Sequence, residues 1–409
     1  MVRSNGTGAG LRPCPKQKVT VGLRILLSSN APHCSTGYGV QVKSLLPRLS
    51  ALDVVGGPEN IGIFAWFGVQ GGLTQFGPHV MYPGHSHPYG TDIIGHHARH
   101  FGADVVITLI DVWTQEEVGQ KVAPALWLPW FPVDTEPVSQ RVLAALEGAA
   151  RPVVYSRFGE QMLRDAGMPC AYVPHGVEPD VFRVLPEEAV AQFRTAVFGD
   201  APHVTVMVAA NKGFDRKAFQ VQLKAWAAFA DEEPGAVLYI HTDPTTQAAG
   251  MDLQALVGAL DITDRIIFPD RYSYYLGYPA EYLAMIYNAA DVLLGASMSE
   301  GFGIPLIEAQ ACGTPVITTD FASMPELVRW GTATTPADLF WVSGLESWWA
   351  WPDWRAIRDA LGNVGRMKAA AARTKREAVH RAIVGEYGWD VVVAKHWRPV
   401  LEEVDGGSE

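Results

Sequence analysis

The feature that most constrains the fold is an alternation that runs the length of the chain. Short runs rich in Val, Ile, Leu and Tyr fall at residues 23–29, 61–67, 105–110, 125–129, 152–155 and 171–173. They continue at 204–209, 236–241, 265–268, 292–294 and 315–319, with longer helical stretches between them. Strands that are apolar along their whole length are buried on both faces, which is how parallel sheets covered by helices read in sequence. A chain of 409 residues exceeds what one core usually serves, so an α/β architecture of two Rossmann-like sheets is expected. The join belongs in 176–198, where Pro179 and Pro186 interrupt the strand pattern. Expected units are therefore a disordered leader at 1–18, a first domain at 19–185, a second at 186–385 and a C-terminal segment at 386–409. Ligands of such sheets bind beyond the carboxyl ends of the strands, so a two-domain version carries its site in the cleft between them.

Composition narrows the partners. A net charge of −11 argues against a surface that binds nucleic acid or anionic lipid everywhere. The most basic stretch, 366–381 with Arg366, Lys368, Arg373, Lys375, Arg376 and Arg381, reads as a solvated helix face. Cysteines at 14, 34, 170 and 312 are too few and scattered for a disulfide framework, so a reducing cytoplasm is the expected setting. The longest apolar run, 124–133, holds three prolines, and no integral membrane contact is expected.

The most informative segment is 296–320, A-S-M-S-E-G-F-G-I-P-L-I-E-A-Q-A-C-G-T-P-V-I-T-T-D. It reads as a strand end, a glycine turn, a short helix with Pro305 at its first position and Gly313 closing it, then another strand. Gly301 and Gly303 let backbone pass close to a ligand, and the helix that follows presents unpaired N–H groups and a positive dipole end, which suits a pyrophosphate. Glu300 and Glu308 bracket the turn. Ionised carboxylates accept hydrogen bonds and vicinal sugar hydroxyls donate them, so two such groups suit the two sugars of a nucleotide sugar; either could instead serve only the helix dipole.

E-G-F-G-I-P-L-I-E-A-Q-A-C-G-T-P-V resembles the signature of the retaining GT-B glycosyltransferases that share the E-x7-E motif, the group 1, family 4-like enzymes. Val173-Pro174-His175-Gly176-Val177 is similar to that family's segment near the domain junction, and residues 211–217 resemble its basic donor loop. Tyr387-Gly388-Trp389-Asp390 looks like the element preceding the family's last helix, which crosses back to brace the first domain. The resemblance implies a GT-B fold and transfer of a sugar, with retention, from a nucleotide diphosphate such as UDP or GDP. It also implies no divalent metal and no cofactor beyond the donor substrate. Arg216 and Lys217 are then the cations that meet the departing diphosphate, with Lys212 a third candidate. Donor contacts carry over to Gly301, Phe302, Gly303, Ile304 and Glu308, and to Gly37 and Gly39 in S-T-G-Y-G after the first strand. Arg271 belongs to the loop that would meet the base.

Two features lie outside the motif. Asp111 and Trp113 follow the strand at 105–110, where Asp111 either faces the cleft as an acceptor-side catalytic group or caps the next turn. Six histidines fall within 79–100, but their spacing matches no closed zinc site. The expected function is a hexosyltransferase whose acceptor (glycan, small molecule, protein, lipid or modified nucleic acid) stays open. A non-catalytic nucleotide-sugar binding module and a GT-B-like epimerase or phosphorylase are the alternatives.

Overall fold

A computed structural model describes residues 22–213, 215–245 and 250–406; the expected leader at 1–18 lies outside them. The first sheet is built from β1 (Ile25–Asn30), β2 (Ile61–Phe67), β3 (Thr74–Phe76), β4 (His79–Pro83), β5 (Val105–Leu109), β6 (Leu126–Phe131), β7 (Val153–Val154) and β8 (Ala171–Tyr172). Its order is β3-β4-β2-β1-β5-β6-β7-β8, parallel except where β3 runs against β4. The second sheet uses β9 (Val204–Val208), β10 (Val237–His241), β11 (Ile266–Ile267), β12 (Val292–Gly295), β13 (Val316–Thr319) and β14 (Gly331–Thr334). All its pairs are parallel, in the order β11-β10-β9-β12-β13-β14. In each sheet the first strand in sequence lies inside and the order reverses beside it, so the crevices at the strands' carboxyl ends open there.

β1 and β5 are buried along their whole length, as an inner parallel strand requires. A third, two-stranded sheet pairs β15 (Asp338–Val342) with β16 (Ser347–Trp351). Within this hairpin Trp349 packs inward, while Trp341 and Trp348 stay exposed. It also reaches the first sheet's side of the molecule, where Glu136 and Trp348 exchange backbone hydrogen bonds at 3.2 and 3.4 Å.

The stretch read as one solvated basic helix is two helices, Met367–Ala370 and Arg373–Tyr387, broken at 371–372. Lys368 is not solvated. Its Nζ is buried and donates to the carbonyls of Asn288 (2.6 Å) and Ala290 (2.5 Å) and to Thr314 Oγ1 (2.9 Å). It thereby serves the carboxyl end of the helix Ala280–Ala289, where unpaired carbonyls favour a cation.

After Gly388 the chain crosses back to the first sheet. Val177 and Gly388 bridge, Arg48 bonds Asp390 at 2.6 Å and Glu178 at 2.8 Å, and Trp397 meets Trp130 edge-on at 5.1 Å.

Candidate active site

Five loops meet between the sheets, each leaving the carboxyl end of a strand. From the first sheet come 31–36 after β1, Asp111 after β5 and Pro132 to Asp134 after β6. From the second come 211–217 after β9 and 296–303 after β12.

At the centre Glu300 accepts hydrogen bonds from Lys217 Nζ (2.5 Å), Ser297 Oγ (2.6 Å) and Arg216 (3.0 Å); Arg216 also donates to the Ser299 carbonyl. The 211–217 loop is tied to the same place by the Met298 N–H, which donates to the Arg216 carbonyl at 2.9 Å. It ends at Ala218, held at φ 50°, a left-handed conformation that costs a non-glycine residue energy. Burial on its own would raise the Glu300 pKa, but the Lys217 and Arg216 charges outweigh it and hold the carboxyl at about 2. Burial lowers Lys217, with Glu300 opposing. Arg216 is raised: burial is outweighed by Glu300, Asp134 and Asp111. Lys212 is exposed and makes no ion pair among the described residues, yet its charge reaches Asp111 and Lys217.

The turn that follows Glu300 is tight. Gly303 sits at φ 111° and precedes the helix Ile304–Ala311, in which Pro305 is the second residue and Ile304 the first, one position later than expected. No side chain caps this helix, so none competes for its N-terminal N–H groups. A Cβ on Gly301 would lie 2.2 Å from Pro132 Cβ, so the two halves of the molecule touch here. Ser299 Oγ donates to the Asp134 carbonyl at 2.5 Å beside that contact.

Glu308 stands apart from the ionic cluster. It is 8% exposed, accepts the Tyr287 hydroxyl at 3.0 Å, and burial pushes its pKa up to about 7. The Phe302 ring is buried against His175 and Tyr387, so only its backbone is free to meet a ligand. Gly37 has open space where a Cβ would stand. Gly39 is packed so closely that a Cβ would lie 2.5 Å from the Cys34 carbonyl oxygen. Arg271 lies further out, 3.7 Å from Asp243.

Asp111 occupies the cap position of a short turn without capping it; burial raises its carboxyl, and the Arg216 and Lys212 charges oppose that rise. Trp113 turns away, its ring under Arg141 at 5.7 Å. Five of the six histidines have separate partners: His79 the Ile61 carbonyl, His85 the Asp92 carboxylate, His87 the Tyr89 N–H, His97 the Pro83 carbonyl and His100 the Tyr82 hydroxyl. Among the described residues no group of three or more metal-ligating side chains gathers.

Three residues that the sequence did not single out complete the surroundings. Asp134 is half-buried; burial raises it and Arg216 opposes, Asp111 and Glu300 raise it further and the Trp349 indole lowers it, to about 6. Tyr38 and Tyr155 share a hydrogen bond, and Tyr155 donates to the Trp130 carbonyl at 3.1 Å. Asp134 was legible in principle, because like Asp111 it follows a strand of the first sheet by a few residues. His175 is the reverse case. It is buried between Trp130, Tyr155 and Phe302, its Nδ1 has no hydrogen-bond partner, and burial lowers it to about 3, so it is a neutral packing element.

Two Rossmann-like units facing one another across a charged cleft define the GT-B architecture. Residues 202–342 match the family model of glycosyl transferases group 1. The D-inositol 3-phosphate glycosyltransferase of Segniliparus rotundus is 31% identical over 220 residues, 53% of this chain and 43% of that protein. Its counterpart from Nocardia farcinica is 25% identical over 315 residues, 71% of this chain and 66% of that protein. The chain thus spans about half the length of the curated relatives it matches. Among solved structures, sucrose-phosphate synthase from Thermosynechococcus elongatus superposes with a TM-score of 0.71 at 19% identity, covering 94% of this chain and all of that one. HepE of Anabaena, in complex with UDP and glucose, gives 0.67 at 12% identity, covering 94% of this chain and all of that one. Among the described residues no helix is long and apolar enough to cross a membrane.

Proposed function

We propose that this chain is a glycosyltransferase that takes a hexose from a UDP-sugar and passes it, with retention of configuration, to an acceptor presented by the 19–185 domain, while the 186–385 domain grips the donor. The observation that carries this reading is the cluster of Arg216, Lys217 and Glu300 beside the Gly301–Gly303 turn. The two cations are paired with Glu300. A diphosphate entering at the helix N-terminus competes for them, and their charge stabilises the leaving group as the bond to the anomeric carbon breaks. Two protein cations supply the charge that a divalent ion would otherwise bring. Glu300, ionised at any physiological pH, is left to accept hydrogen bonds from the transferred sugar, and Glu308 from the ribose. Retention rests on the E-x7-E resemblance, and the UDP preference on HepE, whose structure holds UDP and glucose.

The test is incubation with a panel of UDP- and GDP-sugars, following nucleotide release and the anomeric configuration of the product by NMR. UDP release with a retained product is expected. An inverted product overturns retention, and tight UDP binding without turnover favours a binding module. In the same assay the Arg216→Ala, Lys217→Ala double variant removes charged hydrogen bonds worth about 1.5–3 kcal/mol each, so UDP affinity is expected to fall at least about a hundredfold. Native affinity in that variant would remove these cations from the donor site and turn attention to Lys212.

A further inference from the structure

We infer that Asp134 is the catalytic residue that takes the proton from the acceptor hydroxyl, an inference that rests on the glycosyltransferase reading above. Asp134 leaves the carboxyl end of β6 on the first sheet's side, which that reading gives to the acceptor. It sits where the two halves of the molecule touch: Pro132 lies against Gly301, and Ser299 Oγ, next to Glu300, donates to the Asp134 carbonyl at 2.5 Å. The side chain is half-buried, so a hydroxyl group can reach it, and the neighbouring Trp349 indole favours its ionised form.

The charged and titratable groups facing it are Arg216, Asp111, Glu300 and Tyr38. Arg216 is the cation offered to the diphosphate, so Asp134 stands on the side of the cleft from which the leaving group departs. A transfer with retention brings the acceptor in on that same side. The other candidates are less suited. Glu300 is held at about 2 by two cations and is a poor proton acceptor. His175 is enclosed by three rings. Asp111 faces Arg216 and Lys212 after a neighbouring strand, while Asp134 follows the Pro132 that packs on Gly301. Burial holds Asp134 at about 6, where a carboxyl is ionised at neutral pH and still basic enough to accept a proton.

In the step itself the acceptor oxygen bonds to the anomeric carbon while the bond from that carbon to the diphosphate oxygen breaks, the electron pair leaving with the diphosphate. The acceptor's proton passes to the Asp134 carboxylate and returns to solvent after the products leave. With water as acceptor the same balance gives the free sugar and the nucleoside diphosphate.

The test is the pH profile of UDP-glucose hydrolysis, beside UDP calorimetry on the same proteins. The wild type is expected to gain rate with pH through an acidic limb near 6. Asp134→Asn is expected to lose at least about a hundredfold in rate, together with that limb, at unchanged UDP affinity. Trp349→Phe removes the indole that favours the ionised carboxylate and is expected to move the limb to higher pH, a shift that a purely structural role would not produce. Asp134→Asn keeping wild-type rate and limb overturns the inference, as does a loss of UDP affinity in step with the rate. So does a limb that vanishes in Asp111→Asn and persists in Asp134→Asn. A wild type that binds UDP and hydrolyses no nucleotide sugar overturns the glycosyltransferase reading itself, and this inference with it.

Discussion

On the proposed function, Glu308 is the buried carboxyl that ties donor binding to pH. Its pKa in the fold, about 7, lies above the ordinary 4.5, so the protonated form is the one the fold favours. Its contribution to stability is therefore fully present below the ordinary value and is lost as pH rises through about 7. Donor binding runs the other way, because only the ionised form offers both oxygens to ribose hydroxyls. UDP affinity measured by calorimetry is expected to be tighter one pH unit above that midpoint than one unit below it, and Glu308→Gln is expected to flatten the difference. An affinity that is level across the range in the wild type would show that the carboxyl does not meet the nucleotide. The Glu300 carboxyl, held at about 2, contributes no such limb near neutrality. Both glutamates were legible in the sequence, because the glycine turn and helix between them follow one local pattern. Their opposite protonation was not, since it comes from Arg216 and Lys217 in a different loop and from burial beside Tyr287 on a different helix.

At the scale of elements, apolar continuity decided what could be read. The inner strands announced themselves because both their faces are buried. Strands β3 and β14, with Thr-Gln-Phe and Gly-Thr-Ala-Thr, carry too little apolar surface to stand out, and β15 and β16 form an antiparallel hairpin outside the parallel sheets that the alternation points to. Strand β6 continues through Pro129 to Phe131, two residues past the expected end at 129, which is why Asp134 did not register as a residue at a strand's carboxyl end. The basic stretch misled for a different reason: spacing alone does not reveal that Lys368 turns inward to three oxygens of neighbouring segments. Lys368→Met keeps the bulk and removes the donors, leaving buried carbonyls unpaired at about 1–3 kcal/mol each. Thermal unfolding is expected to show a clear fall in Tm; an unchanged Tm would mean that water replaces the ammonium group.

Taken whole, the molecule is held together at its cleft by contacts with little slack. Gly301 against Pro132 leaves no room for a methyl group, and the β15–β16 hairpin is tied by backbone hydrogen bonds to Glu136. Gly301→Ala is therefore expected to push the two halves apart, seen as a larger radius of gyration in small-angle scattering and a lower rate of donor hydrolysis. Identical scattering from variant and wild type would show that the contact gives way locally. The return of the chain to the first sheet also bears on the order of assembly. Trp130 lies buried in the first domain against Trp397, which follows the whole second domain along the chain. On the ribosome the wall of that domain is thus finished by residues that emerge only after the second domain. A nascent chain has to carry the Trp130 face uncovered through the synthesis of the entire second domain.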